Sequence, residues 1–120
     1  KKEPPRRVPL SVSDRLHFYW RPGCMFSMAL ERQLKRADID FEPHNIWEEE
    51  DAAQFVRSVA RGNETVPTVA VGNIALVNPT AEQVFVTLDE HAPHLLPEGF
   101  EIPERRGVGA WLGRLLGRGA

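Results

Sequence analysis

Cysteine is almost absent from this chain, because Cys24 is the only one among 120 residues. A single cysteine cannot form a disulfide within the chain, so any disulfide must be made with another molecule. This excludes a fold stabilised by internal disulfides and a dithiol redox cycle closed within one chain. A lone thiol is typical of a reducing compartment, and we therefore expect a cytoplasmic protein.

Long hydrophobic runs are also lacking. No apolar stretch approaches the roughly 18 residues that a membrane-spanning helix needs. Residues 1–14 lack the apolar core of a secretory signal. The remaining composition, 42% apolar and 27% charged, is typical of a globular protein and sufficient for one hydrophobic core. The sequence therefore predicts a soluble protein with a single folded domain.

Positive charge is scarce in the middle of the chain. Residues 15–90 contain seven lysines and arginines against twelve acidic residues, whereas both ends are basic. A protein that binds nucleic acid needs clustered basic side chains to neutralise phosphates. The acidic body therefore argues against nucleic acid as a partner.

The composition divides the chain into three parts. Residues 1–14 are basic and proline-rich, and they predict a disordered leader with too little apolar surface to bury. Residues 15–90 carry the pattern of a folded domain. Residues 91–120 form a tail rich in proline and glycine, in which residues 105–118 are basic and amphipathic. This segment could bind an acidic membrane surface, a partner protein or the domain's own acidic face. The alternative interpretation is a disordered end of the chain.

The first part of the domain predicts a strand, a loop and a helix, followed by a second strand. Residues 16–20 are rich in aromatic side chains, as in a strand, and a Pro-Gly turn leads from them to Cys24. Apolar residues then recur at helical spacing, at Phe26, Leu30, Leu34 and Ala37. Residues 39–46 predict a strand at the edge of a sheet, because Pro43 cannot donate a hydrogen bond to a neighbouring strand.

The second part predicts a helix, a hairpin and another helix. Acidic residues 48–51 precede a helical apolar stripe, as the helix dipole favours. Residues 68–71 and 74–77 flank Gly72-Asn73, a strong signal for a two-residue hairpin turn. Asn78 and Pro79 predict the cap and first position of a third helix. The order β-α-β-α-β-β-α predicts an α/β fold with a four-stranded mixed sheet and helices on both faces, an arrangement that resembles the thioredoxin fold.

Cys24 is the candidate for chemistry. Free amides in the first turn of a helix favour the thiolate over the thiol and so activate the sulfur. The Pro-Gly turn before it also favours exposure. The alternative is an inert, buried thiol.

Two motifs resemble the signatures of glutaredoxins. The first is Tyr19, four intervening residues and Cys24 at a helix start. The second is the segment Thr65-Val66-Pro67-Thr68-Val69, in which Pro67 follows the cysteine by 43 positions. Within the family, residues 50–84 are most similar to mycoredoxins, the actinobacterial members that work with mycothiol. The resemblance covers residues 15–90 and implies a thioredoxin-like, glutaredoxin-type fold.

The resemblance also implies a reaction. Dithiol members have a second cysteine where this chain has Ser27, so a monothiol route is expected, in which Cys24 reduces mixed disulfides between proteins and a low-molecular-weight thiol. That thiol, mycothiol rather than glutathione, would act as co-substrate. We expect no tightly bound cofactor and no metal site. Ser27 would hydrogen-bond the thiolate but cannot be oxidised to a disulfide.

Further site residues follow from the resemblance. Pro67 would be a cis proline beside the sulfur, with the backbone of Val66 pairing an extended substrate; the alternative is an ordinary trans proline. Arg21 would lower the pKa of Cys24 or meet a carboxylate of the small thiol, unless it is a solvated loop residue. Tyr19 would orient the thiol adduct or merely pack in the core.

The start of the third helix is the last candidate for the site. In glutaredoxins this region helps to hold the carboxylate end of the small thiol, which would involve Asn78 and Thr80 here, since free amides at a helix start can bind an anion. The alternative is that Asn78 and Thr80 only cap the helix and do not contact the small thiol.

Two other functions remain open. The motif Cys24-Met25-Phe26-Ser27 resembles the Cys-Gly-Phe-Ser motif of monothiol glutaredoxins, in which two protomers share a [2Fe-2S] cluster. The chain could also be a binding module that has kept the fold and lost efficient catalysis.

Overall fold

The computed structural model describes residues 15–102, so the predicted leader 1–14 and the basic segment 105–118 lie outside the described residues. Four strands are present: β1 (His17–Trp20), β2 (Glu42–Asn45), β3 (Thr68–Val71) and β4 (Ile74–Val77). Within the same residues there are three α-helices: α1 (Met25–Arg36) after β1, α2 (Glu50–Val59) after β2, and α3 (Ala81–His91) after β4, which is followed by a 3-10 turn (Pro93–Leu95). The predicted element order is confirmed.

The strands form one mixed sheet in the order β2-β1-β3-β4. β1 is parallel to β2, whereas β3 is antiparallel to both β1 and β4. β2 lies at an edge, as Pro43 predicted, and the hairpin turns at Gly72-Asn73 with positive φ at Gly72. The fold is a four-stranded mixed sheet with three helices.

Alternating residues of the central strands supply two hydrophobic clusters. Phe18 and Val69 belong to one cluster together with apolar residues of α1 and α3. Their neighbours Tyr19 and Ala70 belong to the other, together with residues of α2. Because successive side chains of a strand point to opposite faces, the clusters place α1 and α3 on one face of the sheet and α2 on the other.

Residues 92–102 continue to pack on the domain. Ala92 and Ile102 are buried in the cluster that contains α1 and α3. The ring of Phe100 meets Phe85 edge to face, with ring centroids 5.0 Å apart. The first residues of the predicted tail thus cover part of the core. No helix within residues 15–102 is long and apolar enough to span a membrane.

The start of α3 differs from the sequence prediction by two residues. Thr80 is the N-cap, and its hydroxyl accepts a hydrogen bond from the Gln83 amide while the Gln83 side chain accepts one from the Thr80 amide. Asn78 instead adopts a left-handed conformation with φ 54°. The prediction that Asn78 caps the helix is therefore wrong, because the Thr80–Gln83 capping box satisfies the free amides better.

Candidate active site

The topology brings four separated segments to one end of the sheet. Trp20, at the end of β1, pairs with Asn45, at the end of the parallel strand β2. Tyr19 pairs with Thr68, where the antiparallel strand β3 begins, and Thr68 pairs with Val77, where β4 ends. The loops that follow β1, β2 and β4 therefore lie beside the loop that precedes β3. The segments around Cys24, Trp47, Pro67 and Asn78 meet there.

Cys24 is the N-cap of α1. Only 7% of the residue is exposed, although its chain neighbours on both sides are exposed. The predicted exposure of Cys24 is therefore wrong, and the alternative of a buried thiol is the one that the structure has. The extended N-cap conformation, with φ −94° and ψ 112°, goes with a side chain turned inwards, where the thiol donates a hydrogen bond to the Val66 carbonyl oxygen at 3.7 Å.

Opposing effects act on the pKa of Cys24. Desolvation by burial raises the pKa. Hydrogen bonds from the Ser27 side chain and from the amides of Ser27 and Phe26, together with the charge of Arg21, lower the pKa by more than burial raises it. The net result is a pKa below the ordinary value of a thiol. Phe26 and Ser27 are the second and third residues of α1, whose amides lack partners within the helix. The start of the helix therefore favours the thiolate.

Ser27 is buried on the inner side of α1, with 1% of the residue exposed. Among residues 15–102 its hydroxyl forms no hydrogen bond of ordinary geometry. A buried hydroxyl without a partner is costly. Ionisation of Cys24 provides an acceptor for it, which is why the Ser27 side chain lowers the pKa of the cysteine.

The segment opposite the sulfur contains a cis peptide bond between Val66 and Pro67. Both residues are buried, and the carbonyl of Pro67 accepts a hydrogen bond from the Asn78 amide at 2.7 Å. Asn78 is thus tied through its backbone to the proline segment. The predicted cis proline beside the sulfur is present in the structure.

Arg21 is half-buried and lies beside Trp47, which the sequence analysis did not single out. The guanidinium carbon of Arg21 is 5.6 Å from the centre of the Trp47 ring, within the range of a cation–π contact. Its Nη1 also donates to the Pro22 carbonyl oxygen at 3.2 Å. The parallel pairing of β1 and β2 provides the signal that could have identified Trp47, because their ends must lie side by side.

Tyr19 packs between two rings. It stacks on His44 and on Phe55, with ring centroids 4.8 Å and 4.9 Å away. Burial, and then the negative charge of Glu49, raise the pKa of Tyr19 to about 12. Tyr19 and Cys24 share one hydrophobic cluster. Tyr19 thus packs in the cluster that contains Cys24, and its role in orienting the thiol adduct stays a prediction.

His44 connects this aromatic stack to the start of α2. Its Nδ1 lies 3.0 Å from a carboxylate oxygen of Glu49, and its Nε2 lies 3.0 Å from Nδ1 of His17. Both ring nitrogens of His44 are therefore engaged, which fixes the ring against Tyr19. No group of three metal-ligating side chains occurs within the described part of the chain.

Exposed apolar side chains lie at the same end of the sheet as the buried cysteine. Met25 and Phe26, which follow it in the first turn of α1, are 78% and 71% exposed. Trp47 is 63% exposed. Trp20, by contrast, is partly buried against the cluster that contains α1. Met25 and Phe26 thus present apolar surface next to an ionisable sulfur, and Trp47 is exposed at the same end of the sheet, an arrangement that suits attack on a disulfide presented by another molecule.

The comparisons with known proteins point in the same direction. A family model described as glutaredoxin matches residues 16–74. Two Mycobacterium tuberculosis proteins with provisional glutaredoxin names, MT3292 and Rv3198A, are each 34% identical to the chain over 74 residues. The matched region covers 61% of this chain and 88% of each relative.

Solved structures share the fold. A crystal structure of a mutant of the thioredoxin-like protein BC3987 superposes with a TM-score of 0.55 and 16% identity, and covers 62% of this chain and 99% of that one. A wheat glutaredoxin superposes with a TM-score of 0.50 and 17% identity, and covers 75% of this chain and 84% of that one. At this level of identity the likeness concerns the fold alone.

Proposed function

The chain belongs to the glutaredoxin family of thiol-disulfide oxidoreductases, and we propose that it reduces mixed disulfides between proteins and a low-molecular-weight thiol through Cys24 alone. One observation carries the proposal. The only cysteine of the chain caps a helix whose first turn lowers its pKa, and it lies against the cis Val66-Pro67 segment. A sulfur in this setting is a nucleophile and has no second thiol with which to close a disulfide.

The proposed reaction has two steps. The Cys24 thiolate attacks the small-thiol sulfur of the mixed disulfide; a bond forms between these two sulfurs, and the protein substrate leaves as a thiolate. A second small-thiol thiolate then attacks the small-thiol sulfur of the Cys24 adduct. This releases the Cys24 thiolate and a disulfide of two small thiols. Each round thus consumes one free small thiol and converts the mixed disulfide into a protein thiol and a disulfide of two small thiols.

The neighbouring residues have distinct roles in this proposal. The Ser27 hydroxyl and the first amides of α1 stabilise the thiolate, both before attack and when it is released. The backbone of Val66, next to Pro67, pairs with an extended substrate. Arg21 adds positive charge beside the sulfur. The Thr80 hydroxyl is engaged in helix capping, so in this proposal the small thiol meets the exposed Asn78 side chain at the same end of the sheet.

We favour mycothiol over glutathione as the small thiol. The support is the similarity of residues 50–84 to mycoredoxins and the Mycobacterium source of the two relatives. Both are arguments from relationship, so the identity of the thiol calls for a direct comparison of the two compounds.

The test is to incubate the reduced protein with oxidised mycothiol and, separately, with oxidised glutathione, and to read the intact mass. We expect one adduct of a single small thiol per chain, formed faster with mycothiol. Cys24→Ser should form none and should lose turnover of a mixed-disulfide substrate. Ser27→Ala is the matched control, because it keeps the nucleophile and should still form the adduct.

The outcomes separate the proposed function from its alternatives. Unchanged turnover in Cys24→Ser would contradict it. An ordinary thiol pKa without turnover in the unmodified protein would favour a binding module. A brown protein after anaerobic incubation with iron, sulfide and the small thiol would favour cluster binding.

A further inference from the structure

Trp47 combines high exposure with a specific contact. It is 63% exposed, so it contributes little to the core, yet its ring lies 5.6 Å from the guanidinium carbon of Arg21. We propose that Trp47 is a positioning residue, which holds the Arg21 guanidinium beside the sulfur of Cys24. The inference rests on the proposed thiolate chemistry at Cys24 and adds a residue outside the two family motifs.

The backbone fixes the two partners independently of their side chains. The Ile46 amide donates to the Trp20 carbonyl oxygen at 2.9 Å, which extends the parallel pairing of β1 and β2 by one more hydrogen bond. The next residues are Arg21 on one segment and Trp47 on the other. The Trp47 amide donates to the Asn45 side chain at 2.9 Å, which holds the turn after β2. These two hydrogen bonds hold the backbone of Trp47 next to the segment that carries Arg21.

Arg21 has few other restraints. Among the described residues 15–102, its one side-chain hydrogen bond joins Nη1 to the carbonyl of the adjacent Pro22 at 3.2 Å. Within residues 15–102 no carboxylate forms an ion pair with it. An arginine side chain loses substantial conformational entropy when it is held in one position, so a single long hydrogen bond is a weak restraint. The Trp47 ring supplies the second contact that limits where the charge can lie.

The position of this charge matters because an acidic run follows Trp47. Glu48, Glu49, Glu50 and Asp51 are all exposed. Glu49 and Glu50 are already paired with His44 and Arg57. A guanidinium released from the ring is free to turn towards Glu48 or Asp51, which would neutralise its charge and move it away from the sulfur. The coulombic effect of Arg21 on Cys24 depends on distance and on screening by water and salt. Trp47 therefore favours the thiolate through Arg21, without contacting the sulfur itself.

The experiment measures ionisation and does not depend on turnover. The rate of Cys24 alkylation by iodoacetamide is followed against pH in the unmodified protein, Trp47→Ala, Arg21→Ala and the double variant. At a pH below the thiol pKa, we expect each single substitution to slow alkylation by about two- to fivefold, as for an exposed cation–π contact or charge pair. The double variant should match Arg21→Ala, because Trp47 acts only through Arg21.

Two controls make the result specific. Trp47→Phe keeps an aromatic face and should restore most of the alkylation rate. Val77→Ala removes another exposed apolar side chain, on the edge strand β4, and should leave the rate unchanged. High salt should reduce the difference between the unmodified protein and Arg21→Ala.

Either of two results would overturn the inference: a Trp47→Ala effect that persists in full in the Arg21→Ala background, or alkylation profiles that neither substitution moves. Neither result would affect the proposed function, which is tested separately by the turnover of the unmodified protein and of Cys24→Ser.

Discussion

The Cys24 thiol donates to the Val66 carbonyl oxygen across a separation of 42 residues, at a distance of 3.7 Å. This contact joins the start of α1 to the segment before β3. It exists because β1 and β3 are antiparallel, so the chain that leaves β1 and the chain that enters β3 meet at the same end of the sheet. The thiol loses this donor when it ionises, and the Ser27 hydroxyl and the helix amides then satisfy the sulfur.

The first prediction concerns the Ser27 hydroxyl. Ser27→Ala removes a buried hydrogen-bond donor to the thiolate, so the pKa of Cys24 should rise and the sulfur should react more slowly below that pKa. The reason for the sign is that a lost donor destabilises only the ionised form. The measurement is the pH dependence of iodoacetamide alkylation. A pKa that stays constant or falls would contradict the role given to Ser27.

The second prediction uses the same position to change the mechanism. Ser27→Cys places a thiol three residues after Cys24, as in Cys-x-x-Cys redox motifs. We expect an internal disulfide on oxidation and higher activity with protein disulfides, because the new thiol can resolve the adduct within the chain. Intact mass should show the loss of two hydrogens. The matched control, Cys24→Ser combined with Ser27→Cys, should show no such loss, and an unchanged mass in the single variant would contradict the prediction.

The fold could be predicted from the sequence because its signals are local. The Gly72-Asn73 turn, the helical stripe after Cys24 and Pro43 at an edge strand each depend on residues close in the chain. The cap of α3 was misplaced because two candidate capping segments, Asn78-Pro79 and Thr80 with Gln83, lie two residues apart, and only the second forms a reciprocal pair of hydrogen bonds.

The candidate site was predictable only in part. Cys24, Ser27 and Pro67 are marked by motifs, whereas Trp47 carries no motif and matters through its contact with Arg21. That contact forms because the parallel strands β1 and β2 end side by side, and their pairing joins residues that are distant in the sequence. The sequence left burial of Cys24 as the alternative for a similar reason, because the residues that share its cluster come from the segment before β3 and from α2.

The third prediction separates helix capping from ligand binding at the start of α3. Thr80→Ala removes the hydroxyl that accepts from the Gln83 amide at 3.1 Å, so the free energy of unfolding should fall by about 1 kcal/mol. Thr80→Ser keeps this acceptor and should retain most of the stability. Urea unfolding measures both variants. The KM for the small thiol should stay unchanged in both, and a raised KM in Thr80→Ala without a loss of stability would indicate a ligand contact instead.

The fourth prediction concerns Tyr19, the only tyrosine of the chain. Burial, and then the charge of Glu49, raise the pKa of Tyr19 to about 12. In the unfolded chain a tyrosine titrates near its ordinary value of about 10. Since no other tyrosine is present, tyrosinate absorbance in the near ultraviolet reports this group alone. The folded protein should therefore show little tyrosinate at a pH where the unfolded chain is half ionised.

The same shift predicts how stability depends on pH. A folded-state pKa above the unfolded value means that the folded state binds the phenolic proton more tightly. This contribution is fully present below about pH 10 and is lost as the pH rises towards about 12, by roughly 2–3 kcal/mol if the whole shift is realised. Tyr19→Phe has no proton to lose, so the difference in unfolding free energy between the unmodified protein and this variant should change across that interval. A difference that stays constant with pH, measured by urea unfolding, would show that the Tyr19 hydroxyl ionises as readily in the folded domain as in the unfolded chain.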